Sequence, residues 1–307
     1  METFFVALSA VAVMLLYAVP GFILVKTKAI KPDSIPAFAK ALMYVCQPCL
    51  TIYSFSRIEF SRELFSEMAV FFLIVVVFLS VLLAAAFGII FRKRRQITFR
   101  VCALASCFGN CAFMGIPLLE AIFPDEPATV TFSAVFFFVM SLMSWTVGSA
   151  IITLDVRYVN IRKIILNPSF LSILVALLIF VTGFEIPPML DNMITLLGRM
   201  STPMCMLVMG MRLATVSVRN MICRPIHWLT IAVKQLLAPV IALVLISFVP
   251  VDPMTRSTFV VLAACPVASV VLNFAEMLGQ GQETAADLVL LGTLSSVLTI
   301  PIITLLL

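Results

Sequence analysis

The chain has 307 residues, of which 63% are hydrophobic and 11% charged, and its mean hydropathy is +1.18. Soluble domains carry about 25% charged residues, so the composition excludes a water-soluble fold and points to an all-α integral membrane protein. The formal charge of +5 is not gathered into a basic run interleaved with aromatics, which excludes a nucleic-acid surface.

A bilayer core about 30 Å thick takes about 20 helical residues per crossing, and lipid leaves the backbone to pair with itself. Apolar runs between charged or Pro/Gly-rich breaks predict ten transmembrane helices, at 3–25, 37–56, 67–91, 97–123, 128–153, 168–184, 189–213, 227–249, 254–280 and 286–306. The sixth run is short, so that helix starts earlier or stands nearly upright. The first is long enough to stay as a span, and no basic segment precedes it, so no cleavable signal is read. Fifteen of the twenty basic residues lie in loops 25–40, 92–100, 154–167 and 212–226, whereas loop 281–285 carries none. By the positive-inside rule these loops are cytoplasmic and both termini are extracytoplasmic; the expected location is the plasma (inner) membrane.

In chain order, span two holds Cys46-Gln47-Pro48-Cys49. The spacing is CxxC, but without a thioredoxin-like context; the cysteines read as packing residues, and no metal or cofactor is expected. Gln47 stands where it can line a site. Span four runs through Gly109-Asn110-Cys111-Ala112-Phe113-Met114-Gly115-Ile116-Pro117, then Glu120. Proline removes a backbone donor and clashes with the preceding turn, so this helix is expected to break. The methionines between 200 and 211 read as packing filler or an adaptable wall. His227, beside Trp228, reads as an interface residue. Lys234 lies about 10 Å deep; its stem can snorkel to the surface, or its ammonium can meet substrate or a counter-ion. Span nine runs through Cys265-Pro266-Val267-Ala268-Ser269 to Asn273 and Glu276.

Two correspondences point to duplication. Pro48 and Arg57 match Pro203 and Arg212 at an offset of 155, and Leu104-Ala105-Ser106-Cys107 matches Leu262-Ala263-Ala264-Cys265 at 158. Five spans per half is odd, so the copies must be inverted, a plan common in secondary transporters. The halves are 1–153 and 168–307, joined by a cytoplasmic linker, 154–167. Both breaks fall eleven or twelve residues into their helices, about 16–18 Å at 1.5 Å per residue, near the bilayer midplane. The half-helices beginning near Pro117 and after Pro266 would aim positive dipole ends at one centre. That arrangement suits a small organic anion. Substrate-binding candidates are therefore Gly109, Asn110, Pro117, Pro266, Ser269, Asn273, Gln47 and Lys234. Glu120, Glu276 and Lys234 are candidates for proton or ion coupling, although interfacial carboxylates are the plainer reading of the two glutamates.

These residues resemble the auxin efflux carrier family, which includes plant auxin exporters and prokaryotic organic-acid permeases. Gly109-Asn110 with Gly115-Ile116-Pro117-Leu118 is similar to its GN…GIPL segment. Cys265-Pro266-Val267-Ala268 with Ala275-Glu276 is similar to its PxA…AE segment. Asn167-Pro168-Ser169 and Lys234-Gln235-Leu236 with Pro239 resemble its sixth- and eighth-helix signatures. The resemblance spans the chain. It implies a scaffold of helices 1, 2, 6 and 7, a transport unit of helices 3–5 and 8–10, crossing broken helices 4 and 9, a homodimer and elevator-like alternating access. The short linker resembles the prokaryotic permeases. Phe113 stands where plant exporters have a second asparagine, Val271 is near their further proline, and Ser269 is where prokaryotic relatives often carry asparagine; these departures speak against auxin as substrate. No phosphate loop, zinc cluster or Ser-His-Asp set is present, so no enzyme is expected. Two rivals stay open: a sodium-coupled bile-acid-type symporter, and a transporter-like sensor that binds ligand without moving it.

Overall fold

The computed structural model describes residues 2–155, 157, 166 and 168–307. Most of the predicted linker, including Arg162 and Lys163, lies outside those residues, as do Asn167 and any earlier start of the helix at 168.

Every regular element among the described residues is helical, apart from one isolated β-bridge between Gly109 and Val267. Among the described residues, seven helices are long and apolar enough to cross a membrane: α1 (Glu2–Lys26), α2 (Pro32–Ser56), α3 (Arg62–Lys93), α6 (Ala128–Thr153), α8 (Pro188–Leu213), α10 (Pro225–Ile246) and α13 (Gln282–Thr304). Between them lie α4 (Ile97–Cys107), α5 (Gly115–Ile122), α7 (Pro168–Thr182), α9 (Val218–Cys223), α11 (Pro253–Ala264) and α12 (Val270–Leu278). The chain is an all-α membrane protein.

Local chemistry explains the boundaries. Ser61 caps α3 by accepting from the Leu64 amide at 3.0 Å. Asp252 caps α11 by accepting from Met254 and Thr255 at 2.7 and 3.0 Å. Each cap satisfies amides that the first helical turn leaves free. At the end of α12, Gly279 takes φ +65°, a left-handed conformation that costs glycine little. Widened π-turns at Leu42–Cys46 and Val233–Leu237 precede Pro48 and Pro239; they let each helix absorb a proline without stopping.

Packing brings α8 against α1 and α2, and α7 against α2. In addition, α3 packs on α4 and α6, α10 on α11, and α13 on α1, α4, α10, α11 and α12. A phenylalanine cluster (Phe71, Phe78, Phe132, Phe136 and Phe259) ties α3, α6 and α11 together, with ring centroids 4.8–6.3 Å apart. Among the glycines, the closest approach of one helix to another is between α1 and α8. A Cβ on Gly210 would overlap the Ala18 carbonyl, and one on Gly21 would overlap the Leu207 carbonyl. Small residues at such crossings let backbones meet, which is how membrane helices gain packing energy without a hydrophobic drive.

His227 departs from the interface position expected of it. It is fully buried, its Nδ1 lies 3.0 Å from the Met221 carbonyl, and Asp287 stands 3.9 Å away. Trp228 takes the outer position instead, donating its indole N–H to Ile222 at 2.8 Å. Successive helical residues point about 100° apart, so one of the two neighbours turns inward when the other faces out.

Candidate functional site

The helix that starts at Ile97 stops at Cys107, and a new one begins at Gly115; likewise α11 stops at Ala264 and α12 begins at Val270. The two non-helical stretches run antiparallel across each other. The Asn110 amide donates to the Pro266 carbonyl at 2.6 Å, and the Ala268 amide donates to the Phe108 carbonyl at 3.0 Å. Each stretch thus supplies the partners the other lost on leaving the helix. In a hydrocarbon setting an unpaired backbone group costs several kcal/mol, so two interruptions are cheaper together than apart.

Neighbouring helices satisfy further carbonyls. Ser133 of α6 donates to Cys111 O at 2.7 Å, Thr202 of α8 to Phe113 O at 2.7 Å, and Lys234 of α10 to Ala263 O at 2.6 Å. Sequence reasoning missed the two hydroxyl donors. Their signal was polar side chains within apolar runs, and only a known partner gives that signal meaning.

Beside the crossing lies a cavity of about 880 Å³. Of the expected site residues, Gly109, Asn110, Ser269, Asn273, Gln47 and Glu276 line it. Asn110 is buried. Neither α5 nor α12 has a side chain capping its first turn. Ala268, Ser269 and Val270, at the start of α12, border the cavity, so the positive end of that helix faces it. Phe113, Met209 and Trp145 supply apolar wall.

Pro117, Pro266, Lys234 and Glu120 lie outside the cavity wall. Pro117 sits in the first turn of α5, and Pro266 contributes its carbonyl to the crossing. Lys234 does not snorkel: it is 2% exposed and reaches behind Gly109 to the carbonyl end of α11. A cation there complements the negative helix end. Such a charge-assisted hydrogen bond contributes about 1.5–3 kcal/mol, so Lys234→Met should slow transport by roughly tenfold or more. Uptake into proteoliposomes at equal protein content checks this; wild-type rates would mean that the ammonium is dispensable.

The two glutamates have different partners. Glu120 accepts from the Tyr53 hydroxyl at 3.3 Å, and Arg199 donates to that hydroxyl at 3.0 Å. Glu276 pairs with Arg212 at 2.8 Å on the cavity wall. Arg212 reads in the sequence as an orientation signal, and nothing in its spacing marked it as a cavity residue.

The chain resembles known transport proteins along most of its length. The family described as "Membrane transport protein" matches it over residues 6–161 and 151–304. A protein of Rhizobium meliloti (strain 1021) described as a "Putative malonate transporter" is 28% identical over 228 residues, covering 70% of this chain and 69% of that protein. With both halves of the sequence matched, the chain belongs to the membrane transport protein family, that of the auxin efflux carriers.

Proposed function

We propose that this protein is a secondary transporter that carries a small organic anion, a carboxylate, across the membrane. The observation behind the reading is the pair of facing helix interruptions, hydrogen-bonded to each other beside a cavity of about 880 Å³. Taken as one interrupted span each, α4/α5 and α11/α12 are the fourth and ninth of ten crossings. Their first segments have eleven and twelve residues and their second segments eight and nine. Such matched breaks support two inverted five-helix repeats.

The carboxylate binds at the start of α12, where the helix dipole is positive, with hydrogen bonds from Asn110, Ser269 and Asn273. The similarity to a protein named for malonate supports that class of substrate. Helices α1, α2, α7 and α8 form the scaffold of a homodimer, and α3–α6 with α10–α13 form the unit that slides past it. Lys40 of α2 and Arg212 of α8, both counted among the basic residues expected on the cytoplasmic side, border the cavity. In this reading the cavity opens to the cytoplasm, and both termini are extracytoplasmic at the plasma membrane.

The test is malonate uptake into proteoliposomes. Asn110→Ala is expected to raise the KM about tenfold, the loss of roughly one hydrogen bond to a charged group, while protein yield stays near wild type. Absence of carboxylate flux in the wild-type protein would refute the transporter reading. A yield that falls as far as affinity would make Asn110 a structural residue.

A further inference from the structure

We infer that Arg212 reads a second carboxylate, making the site selective for dicarboxylates, and that Glu276 occupies this position when substrate is absent. The inference rests on the anion-site reading above and names the substrate class of that site.

Arg212 and Glu276 both line the cavity that contains Asn110, Ser269 and Asn273. The Arg212 side chain is 17% exposed, and its Nη1 donates to Glu276 Oε1 at 2.8 Å. A guanidinium withdrawn from water needs an anionic partner, and its planar fork matches the geometry of a carboxylate. In the empty cavity Glu276 is that partner. It is the looser member of the pair, 41% exposed, and on leaving it is readily solvated. A substrate carboxylate can replace it one for one, leaving Arg212 with an unchanged complement of charge.

The geometry matches a ligand with two acidic ends. Glu276 lies six residues beyond Val270 on α12, about 9 Å along the axis at 1.5 Å per residue. Helical side chains lean toward the N-terminus, so the glutamate and its guanidinium partner come closer to the helix start than that. One carboxylate of the substrate meets the first turn of α12, and the other reaches back along the same helix to Arg212. A monocarboxylate fills only the first position and leaves the ion pair intact.

The opposite face supplies a contrast. Arg57 is held by Asp191 at 3.2 Å and Thr195 at 2.6 Å, both on α8. Glu120 engages Tyr53 instead, and neither Arg57 nor Glu120 borders the cavity. The arginine–glutamate pair facing the open space is therefore Arg212 with Glu276.

The test is binding to purified, full-length protein, with succinate and malonate as dicarboxylate probes and butyrate as the monocarboxylate probe. Arg212→Gln is expected to weaken succinate and malonate binding at least tenfold and to leave butyrate within twofold of wild type. Retained butyrate binding also shows that the variant is folded. Glu276→Gln removes an internal competitor, so it should tighten the dicarboxylates about threefold or more without altering butyrate. A purely structural ion pair predicts weaker binding of every probe in both variants. Equal losses for mono- and dicarboxylates in Arg212→Gln, no change in any, or weaker succinate and malonate binding in Glu276→Gln would each overturn the inference while the anion site stands. Wild-type protein that binds neither butyrate nor succinate nor malonate would overturn the anion site and this inference with it.

Discussion

Gly109→Val is expected to lower carboxylate flux by about 100-fold or more, an effect of roughly 2.7 kcal/mol or greater on the rate-limiting step. A Cβ at position 109 would stand 3.0 Å from Lys234 Cε and Nζ and 3.1 Å from the Cys265 carbonyl. Those atoms have little room to yield. The ammonium is held on Ala263, and the Cys265 carbonyl belongs to the facing stretch. A branched side chain therefore forces the stretches apart and breaks the Asn110–Pro266 and Ala268–Phe108 hydrogen bonds. Each broken bond strands a buried donor and acceptor, at about 1–3 kcal/mol per group. Uptake into proteoliposomes at matched protein content is the measurement. Wild-type flux in Gly109→Val would show that the crossing tolerates separation, which contradicts the part proposed for it in substrate binding.

Gly210→Ala is expected to act on folding rather than on binding. The added methyl group has no free space, because its position coincides with the Ala18 carbonyl of α1. A backbone atom cannot rotate away, so α1 and α8 must separate. Overpacking typically costs about 1–3 kcal/mol, and a helix crossing built on backbone contact belongs at the upper end of that range. The expected results are a markedly lower thermal midpoint in detergent and reduced yield, with carboxylate affinity unchanged in whatever folded protein remains. A midpoint within a degree or two of wild type would mean that this crossing is looser than the structure indicates. The two variants also act at different places: Gly109 lines the cavity and its substitution acts on the crossing itself, whereas Gly210 lies outside the cavity wall and its substitution acts on the contact between α1 and α8.

Much of the helical layout was legible because hydropathy is a property of local sequence. The run expected at 128–153 is α6, Ala128–Thr153, and the run expected at 189–213 is α8, Pro188–Leu213. The stops at Cys107 and Ala264 were legible for a related reason. Pro117, Pro266 and the glycines around Asn110 alter local backbone energetics wherever they stand, so a break could be expected without knowing what packs against it. Even so, neither helix resumes at its proline. One resumes at Gly115, two residues before Pro117, because proline is tolerated in the first turn of a helix. The other resumes at Val270, after the Pro266 carbonyl has been engaged by the facing stretch.

The direction of individual side chains was not legible. Lys234 reads equally well as a snorkelling cation, His227 as an interface residue and Arg212 as a topological charge. Each depends on which neighbour occupies the space beside its helix, and that neighbour is distant in sequence: Ala263 for Lys234, Asp287 for His227 and Glu276 for Arg212.

By itself the sequence determined a helical membrane protein, the approximate bounds of its long apolar helices and the two stretches where a helix was expected to stop. Those follow from burial of apolar groups in lipid and from the missing amide of proline, which act over a few neighbouring residues. Tertiary structure alone decided that the two interruptions pair with each other, that Lys234 stands behind the crossing and that Arg212 and Glu276 face the cavity. These are contacts between residues from tens of positions apart up to about 160. They form because unpaired polar groups withdrawn from water must find a partner somewhere in the folded chain.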